Sequence, residues 1–171
     1  MKAFDQTLEE METFTQFLEE DLENIQRVVE YARKNGLDLD FEIHAKAETV
    51  EESVQHSNID KSQIVKTLVF MGEEPVAVLC AGDKRVSEEK LERLLEEEVE
   101  LASPSEVEEA TGYVVGGVSP FDLDIPVYIE ESVMENDMVR PAAGSRLVGA
   151  KLSPEKLKEV TDGETADIAG E

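Results

Sequence analysis

Apolar residues stand at Phe4, Leu8, Met11, Phe14, Leu18, Leu22, Ile25, Val28, Val29 and Ala32. They recur close to every third or fourth position, which predicts helix over residues 4–34. The pattern permits one long helix or two with a break near Asp21. Gly36, after Lys34-Asn35, is a helix stop. Residues 1–20 read as an accessory amphipathic helix, able to pack on the body or to join a second copy as a homodimer. Leu39–Ile43 alternates apolar and acidic and suits a strand. Thr49-Val-Glu-Glu52 has capping-box spacing and opens a short helix to about His56. Ile64–Met71 and Pro75–Ala81 are β-rich runs around a Gly72-Glu-Glu turn. Ser87 caps a helix to about Leu95, and Val99–Ala102 is a short strand. Ser103-Pro104-Ser-Glu106 carries an N-cap, a proline at the first helical position and the glutamate that closes the box. Its helix runs to about Ala110 and stops at Thr111-Gly112. Tyr113–Val115 and a loop through Asp124 follow, then strands near Pro126–Ile129, Met138–Ala142 and Leu147–Leu152. Ser153-Pro154 starts a last helix to about Thr161, and the small polar tail from Asp162 is expected to be loose. Strands and helices alternate irregularly, with hairpins. The expected class is mixed α/β, a mixed sheet surrounded by helices, and not a strict βαβ repeat.

Composition changes this picture in one respect. Sixteen Lys and Arg face 41 Asp and Glu, for a formal charge of −25. At 40% hydrophobic residues the chain still has material for a core, so the acids bear on solvent and partners and not on fold. They are spread through every segment, and there is no basic stripe. A composition of this kind suits concentrated salt, where the Debye length falls to about 3 Å at 1 M. It also confines any RNA contact to a local site. No apolar run is long enough to span a membrane, and no signal peptide is visible, so the expected location is cytoplasmic. The single cysteine, Cys80, rules out an internal disulfide framework and a multi-cysteine metal site, and its apolar surroundings suggest a buried structural thiol.

Two features invite chemistry. Lys66 is a lone cation inside Ile64-Val-Lys-Thr-Leu-Val-Phe70. It snorkels, guards an edge strand, or faces a cleft where it could hold an anion or a polarised carbonyl. The second is Thr111-Gly-Tyr-Val-Val-Gly-Gly-Val-Ser-Pro120. Paired glycines closed by Ser-Pro form either a plain turn or a backbone that a ligand can approach closely. The spacing fits neither nucleotide-binding glycine motif. His44, at a strand end, is either structural or a ligand contact. Ala142-Ala-Gly-Ser145 reads as another close-approach turn after a strand. With no serine in a nucleophile elbow, a Ser–His–acid hydrolase is not indicated.

These segments, with Ala81-Gly-Asp, Ala102-Ser-Pro-Ser-Glu-Val, Pro126-Val-Tyr-Ile-Glu-Glu-Ser and Ala143-Gly-Ser, occur in an order and spacing that resembles the YbaK/ProX family. That family comprises free-standing relatives of the editing domain of bacterial prolyl-tRNA synthetases. The likeness covers about residues 22–169, so 21–171 form the domain it implies and 1–20 lie outside. It implies a compact α/β fold around a twisted mixed sheet, no catalytic metal or other cofactor, and trans-acting hydrolysis of mischarged aminoacyl-tRNA, Cys or Ala on tRNA for proline being the known cases. The family's lysine falls on Lys66 and its Gly-x-x-x-Pro loop on Gly116–Pro120. Lys66 and Gly116 are thereby the expected catalytic residues. His44, Thr111, Gly112, Tyr113, Gly117, Val118, Ser119, Pro120, Ala143 and Gly144 are expected to bind substrate. The implied partners are the CCA end of aminoacyl-tRNA and prolyl-tRNA synthetase. Val115 stands where many members have Pro, Asp122 for a common Gly, Glu130 for a frequent Asp, and Ala142 in a turn richer in Gly and Ser elsewhere. These departures bear on the pocket and hence on the amino acid selected. A non-catalytic tRNA- or synthetase-binding module derived from such a domain is the rival reading.

Overall fold

The computed structural model describes residues 19–43 and 60–170. His44, the Thr49 helix and residues 1–18 of the accessory segment 1–20 lie outside the described residues. Helix α1 (residues 19–34) runs unbroken through Asp21. It is followed by β1 (Asp40–Ile43), β2 (Ile64–Met71), β3 (Pro75–Ala81), α2 (Glu88–Leu95), β4 (Glu100–Leu101) and α3 (Pro104–Thr111). Then come β5 (Val127–Glu130), β6 (Arg140–Ser145), β7 (Val148–Lys151), α4 (Pro154–Thr161) and β8 (Glu164–Ala166). The strands form a mixed sheet in the order β1-β7-β6-β2-β3-β5-β8, with β4 paired to β2.

The local signals act as expected. Ser103 Oγ accepts from Glu106 N, and Glu106 Oε1 accepts from Ser103 N at 2.9 Å, a complete capping box. Gly112 closes α3 at φ +77°, where a residue with a side chain is strained. The β2–β3 hairpin pairs from Val65 with Ala81 to Met71 with Pro75 without a bulge. Its alternation therefore divides two cores. Val65 and Val69 join Leu79, Ile129, Tyr113 and Phe121 on one face. Phe70, Val76 and Val78 meet Leu91, Val99 and Ile168 on the other.

Three expectations are corrected. Lys66 does not guard an edge, because β2 lies inside the sheet between β3 and β6. Residues 142–145 are not a turn after a strand but the bulged second half of β6. The tail is not loose: β8 pairs parallel with β5, Val86 bridges Ala169, and Ile168 is fully buried. Its polar composition conceals one apolar anchor whose partners are distant in sequence. Ile168→Ala should lower stability by about 2–4 kcal/mol through the cavity it leaves. Denaturant melts in high salt check this, and a loss below about 1 kcal/mol would mean the tail is held by something else.

Candidate active site

The glycine loop is built from its ends inward. Thr111, the last residue of α3, donates from Oγ1 to the Val107 carbonyl at 2.7 Å and accepts from Tyr113 N. Tyr113 is fully buried, and its hydroxyl crosses the loop to donate to the Phe121 carbonyl at 2.7 Å. Burial pushes the Tyr113 phenol up to about 12, against the pull of Arg27, so it stays a donor at neutral pH. Arg27, from α1, joins the two ends. It donates to the Thr111 carbonyl at 2.6 Å, to the Asp122 carboxylate at 2.9 Å and to the Asp122 carbonyl, and stacks 4.1 Å from the Tyr113 ring centre. Asp122 sits at φ +60°, in the left-handed region that favours glycine. Its bond to Arg27 offsets that strain.

Between these clamps the backbone is exposed only at the tip. Val118, Ser119 and Pro120 are buried, and Ser119 Oγ accepts from Phe121 N. Gly116 is exposed at φ +93°. Gly117 packs so closely on β6 that a Cβ would lie 2.9 Å from Ser145 Cα. Gly117 N donates to the Val114 carbonyl at 2.9 Å and closes a turn. The N–H groups of Gly116, Val118 and Ser119 have no partner among the described residues. The tip borders a cleft of about 130 Å³ lined by Asp21, Val114, Val115, Gly117 and Arg146.

The other expected residues are placed differently. Thr111 and Tyr113 have their polar atoms committed inside the loop, and Gly112 packs against the Arg27 guanidinium. Ala143 belongs to the core. Gly144, at φ +92°, lets α1 approach β6, since a Cβ there would meet Asn24 backbone at 2.6 Å. Lys66 shares its face of β2 with Leu68 and Phe70, away from the loop's packed side chains, and donates to the Lys84 carbonyl. Its cross-strand neighbour is Cys80. Burial pushes the Cys80 thiol up to about 11 despite Lys66 nearby, which leaves it protonated and unsuited as a nucleophile. On its other side β2 pairs with β6, Val65 opposite Pro141. Among the described residues no hydrogen bond joins Lys66 to the loop.

Asp21, Arg27 and Arg146 escaped the sequence reading. Arg27 falls between the stripe positions Ile25 and Val28, where the apolar pattern of α1 does not mark it. Glu130, Glu131 and Asp167 carry carboxylates close enough together for a metal. Glu130 is already bonded to Ser132 and Asp167 to Lys90, on the side of the sheet away from the loop.

The family model described as "Aminoacyl-tRNA editing domain" matches residues 44–160. An Enterococcus faecalis protein named "Putative Cys-tRNA(Pro)/Cys-tRNA(Cys) deacylase EbsC" is 31% identical over 85% of this chain and 92% of its own. The proline–tRNA ligase of Caldicellulosiruptor saccharolyticus is 42% identical over 50% of this chain, which spans only 15% of the ligase. A crystal structure described as a "putative trans-editing enzyme for prolyl tRNA synthetase" superposes with a TM-score of 0.82 at 29% identity, over 86% of this chain and 98% of the other. With the family model matching most of the chain and the fold shared with an editing-enzyme structure, this chain belongs to the aminoacyl-tRNA editing domain family.

Proposed function

We propose that the protein is a trans-acting aminoacyl-tRNA deacylase that hydrolyses the ester of a mischarged small amino acid, with Cys or Ala on tRNA for proline as the expected substrates. The observation that supports this is the clamped loop, whose N–H groups at Gly116, Val118 and Ser119 have no partner among the described residues, next to a cleft that the loop lines with Val114, Val115 and Gly117. In the reaction, water adds to the ester carbonyl and the carbonyl oxygen becomes an oxyanion, which loop N–H groups stabilise. Collapse breaks the acyl–oxygen bond. The terminal ribose hydroxyl leaves with a proton, and the amino acid is released as its carboxylate. The ester is activated, so little general-base power is required. Lys66 lies on the face of β2 away from the loop's packed side chains, which favours the phosphate of the terminal nucleotide over the carbonyl as its partner.

The test is a panel of tRNA for proline charged with Ala, Cys or Pro. Release of Ala or Cys in preference to Pro supports the reading, and binding without release would favour the non-catalytic module.

Salt dependence follows from the charge. Among the described acids only Asp21 and Glu130 are buried, so nearly all the negative charge meets solvent. Protein and tRNA repel themselves and each other in dilute buffer. Raising KCl shrinks the Debye length from about 10 Å at 0.1 M to about 3 Å at 1 M. With few cations at the surface, counterion release weakens binding only shallowly. Stability and deacylation should both rise into the molar range, followed by circular dichroism and turnover in the same samples. Peak activity near 0.1 M with a steep decline above it would overturn the salt-adapted, cytoplasmic reading.

A further inference from the structure

In a chain with 41 acids and 16 cations, a basic side chain readily finds a carboxylate, as Arg140 does with Glu42 at 2.8 Å and Lys90 with Asp167 at 2.9 Å. Lys34 and Lys158 form no such pair among the described residues, and each stands in the last turn of a helix, α1 and α4, where a cation suits the negative end. Lys66, Lys84 and Arg85 also lack a carboxylate partner among the described residues, and these three stand together. Lys66 Nζ donates to the Lys84 carbonyl, and Arg85 follows in the chain. Lys66 and Lys84 both act on the Cys80 thiol, which places their charges near one point. The acids that act there are Glu130 and Asp83. Glu130 is buried and bonded to Ser132, while Asp83 is exposed and pairs with no cation among the described residues. Asp167, beside Glu130, is taken by Lys90. The segment that carries Lys84 and Arg85 is fixed. Gly82 N donates to the Ile64 carbonyl at 2.7 Å, Lys84 N donates to the Ala81 carbonyl at 3.0 Å, and the Arg85 carbonyl accepts from Gly170 N at 2.8 Å. Its backbone is tied to the start of β2 and to the C-terminal tail, while both residues remain exposed.

Cations gathered without carboxylates repel one another, and an anion that carries several charges in a row relieves that repulsion where a lone anion answers one of them. A polynucleotide strand has this form, with one phosphate per nucleotide. Lys66 is the residue assigned above to the phosphate of the terminal nucleotide, so the phosphates that precede it fall to the neighbours of Lys66. We infer that Lys84 and Arg85 extend Lys66 into a phosphate-binding surface for the single-stranded 3′ end of tRNA. The inference rests on the deacylase reading for its choice of RNA, and goes beyond it in assigning the surface that holds the strand upstream of the ester. It also reconciles a charge of −25 with a polyanionic substrate, because the few cations left unpaired are concentrated where the strand lies.

The test is the salt dependence of binding to uncharged tRNA for proline, read by fluorescence anisotropy over the KCl range in which circular dichroism shows the proteins folded. The wild type is compared with the double variant Lys84→Gln/Arg85→Gln. A second double variant, Lys34→Gln/Lys158→Gln, removes the same charge at the two helix ends. A phosphate contact on a single strand contributes about 0.7 to the slope of log affinity against log salt. Lys84→Gln/Arg85→Gln should therefore bind more weakly, with a slope shallower by about 1.4, while the helix-end variant keeps the wild-type slope. The single variants Lys84→Gln and Arg85→Gln should each lose about half of that, and they decide the matter if the double variant does not fold. Equal slopes in all the proteins, an equal loss in both double variants, or no binding of tRNA by the wild type overturns the inference. Release of alanine from alanyl-tRNA is followed in parallel. Binding that weakens only in the Lys84 and Arg85 variants upholds the surface even where no alanine is released, in which case the deacylase reading alone fails. Release of alanine with the same tRNA affinity in every variant overturns the surface and leaves the deacylase reading standing.

Discussion

Lys66→Ala should lower deacylation by about 30–100-fold and leave the melting curve almost unchanged. A hydrogen bond to a charged group is worth about 1.5–3 kcal/mol, or about 10–150-fold in rate, which brackets that loss. The stability cost is small because the side chain is half-exposed and loses one bond, to the Lys84 carbonyl, that water can replace. The β2 backbone is held independently by pairing with both β3 and β6. A phosphate anchor acts on binding, so the loss should be greatest at low substrate concentration. Lys66→Arg, which keeps the cation, should recover part of it. Normal turnover by a well-folded Lys66→Ala protein would remove the residue from the mechanism.

Gly116→Ala is the second large effect, and its cause is conformational. An added Cβ would make only ordinary van der Waals contact, 3.9 Å from Arg146 Cδ. The obstacle is φ +93°, which costs a residue with a side chain about 1–2 kcal/mol. The loop relieves that strain by turning the tip, and the N–H groups lose their aim at the oxyanion. Loss of one such donor costs about 100–1,000-fold in turnover. The clamps at Thr111, Tyr113 and Asp122 lie outside the tip, so stability should fall by no more than about 2 kcal/mol. Gly117→Ala is the contrasting control. Its Cβ would strike Ser145 backbone, so destabilisation should dominate there. If Gly116→Ala instead unfolds the domain, the loop is structural and the oxyanion assignment falls.

Local chemistry made most of the scaffold readable. Ser103-Pro104 and Ser153-Pro154 caps, the Gly112 stop and the β2–β3 hairpin depend on neighbouring residues, and each lies where the spacing sets it. β8 was hidden because Glu164-Thr-Ala has no hydrophobic alternation and forms only against β5. The motif residues marked the right region and concealed a division of labour. Thr111, Tyr113 and Ser119 shape the loop from inside, while Gly116 is exposed at its tip. Asp21 and Arg27 were unreadable for a different reason. Their partners, Ser145, Thr111 and Asp122, lie 84–124 residues further along the chain, so no local pattern joins them. Asp122, a departure from the family on sequence alone, is accounted for by Arg27. The continuity of α1 through Asp21 also means that a domain boundary at residue 20 would fall within the helix that supplies the cleft carboxylate.

The most direct measurement is single-turnover release of labelled amino acid from tRNA for proline carrying Ala or Cys. Enzyme is in excess, in molar KCl, with wild type beside Gly116→Ala. The account predicts first-order release by the wild type, well above the spontaneous rate, and near-background release by a folded Gly116→Ala protein that still binds the tRNA. Binding by the wild type with release no faster than in buffer would contradict it.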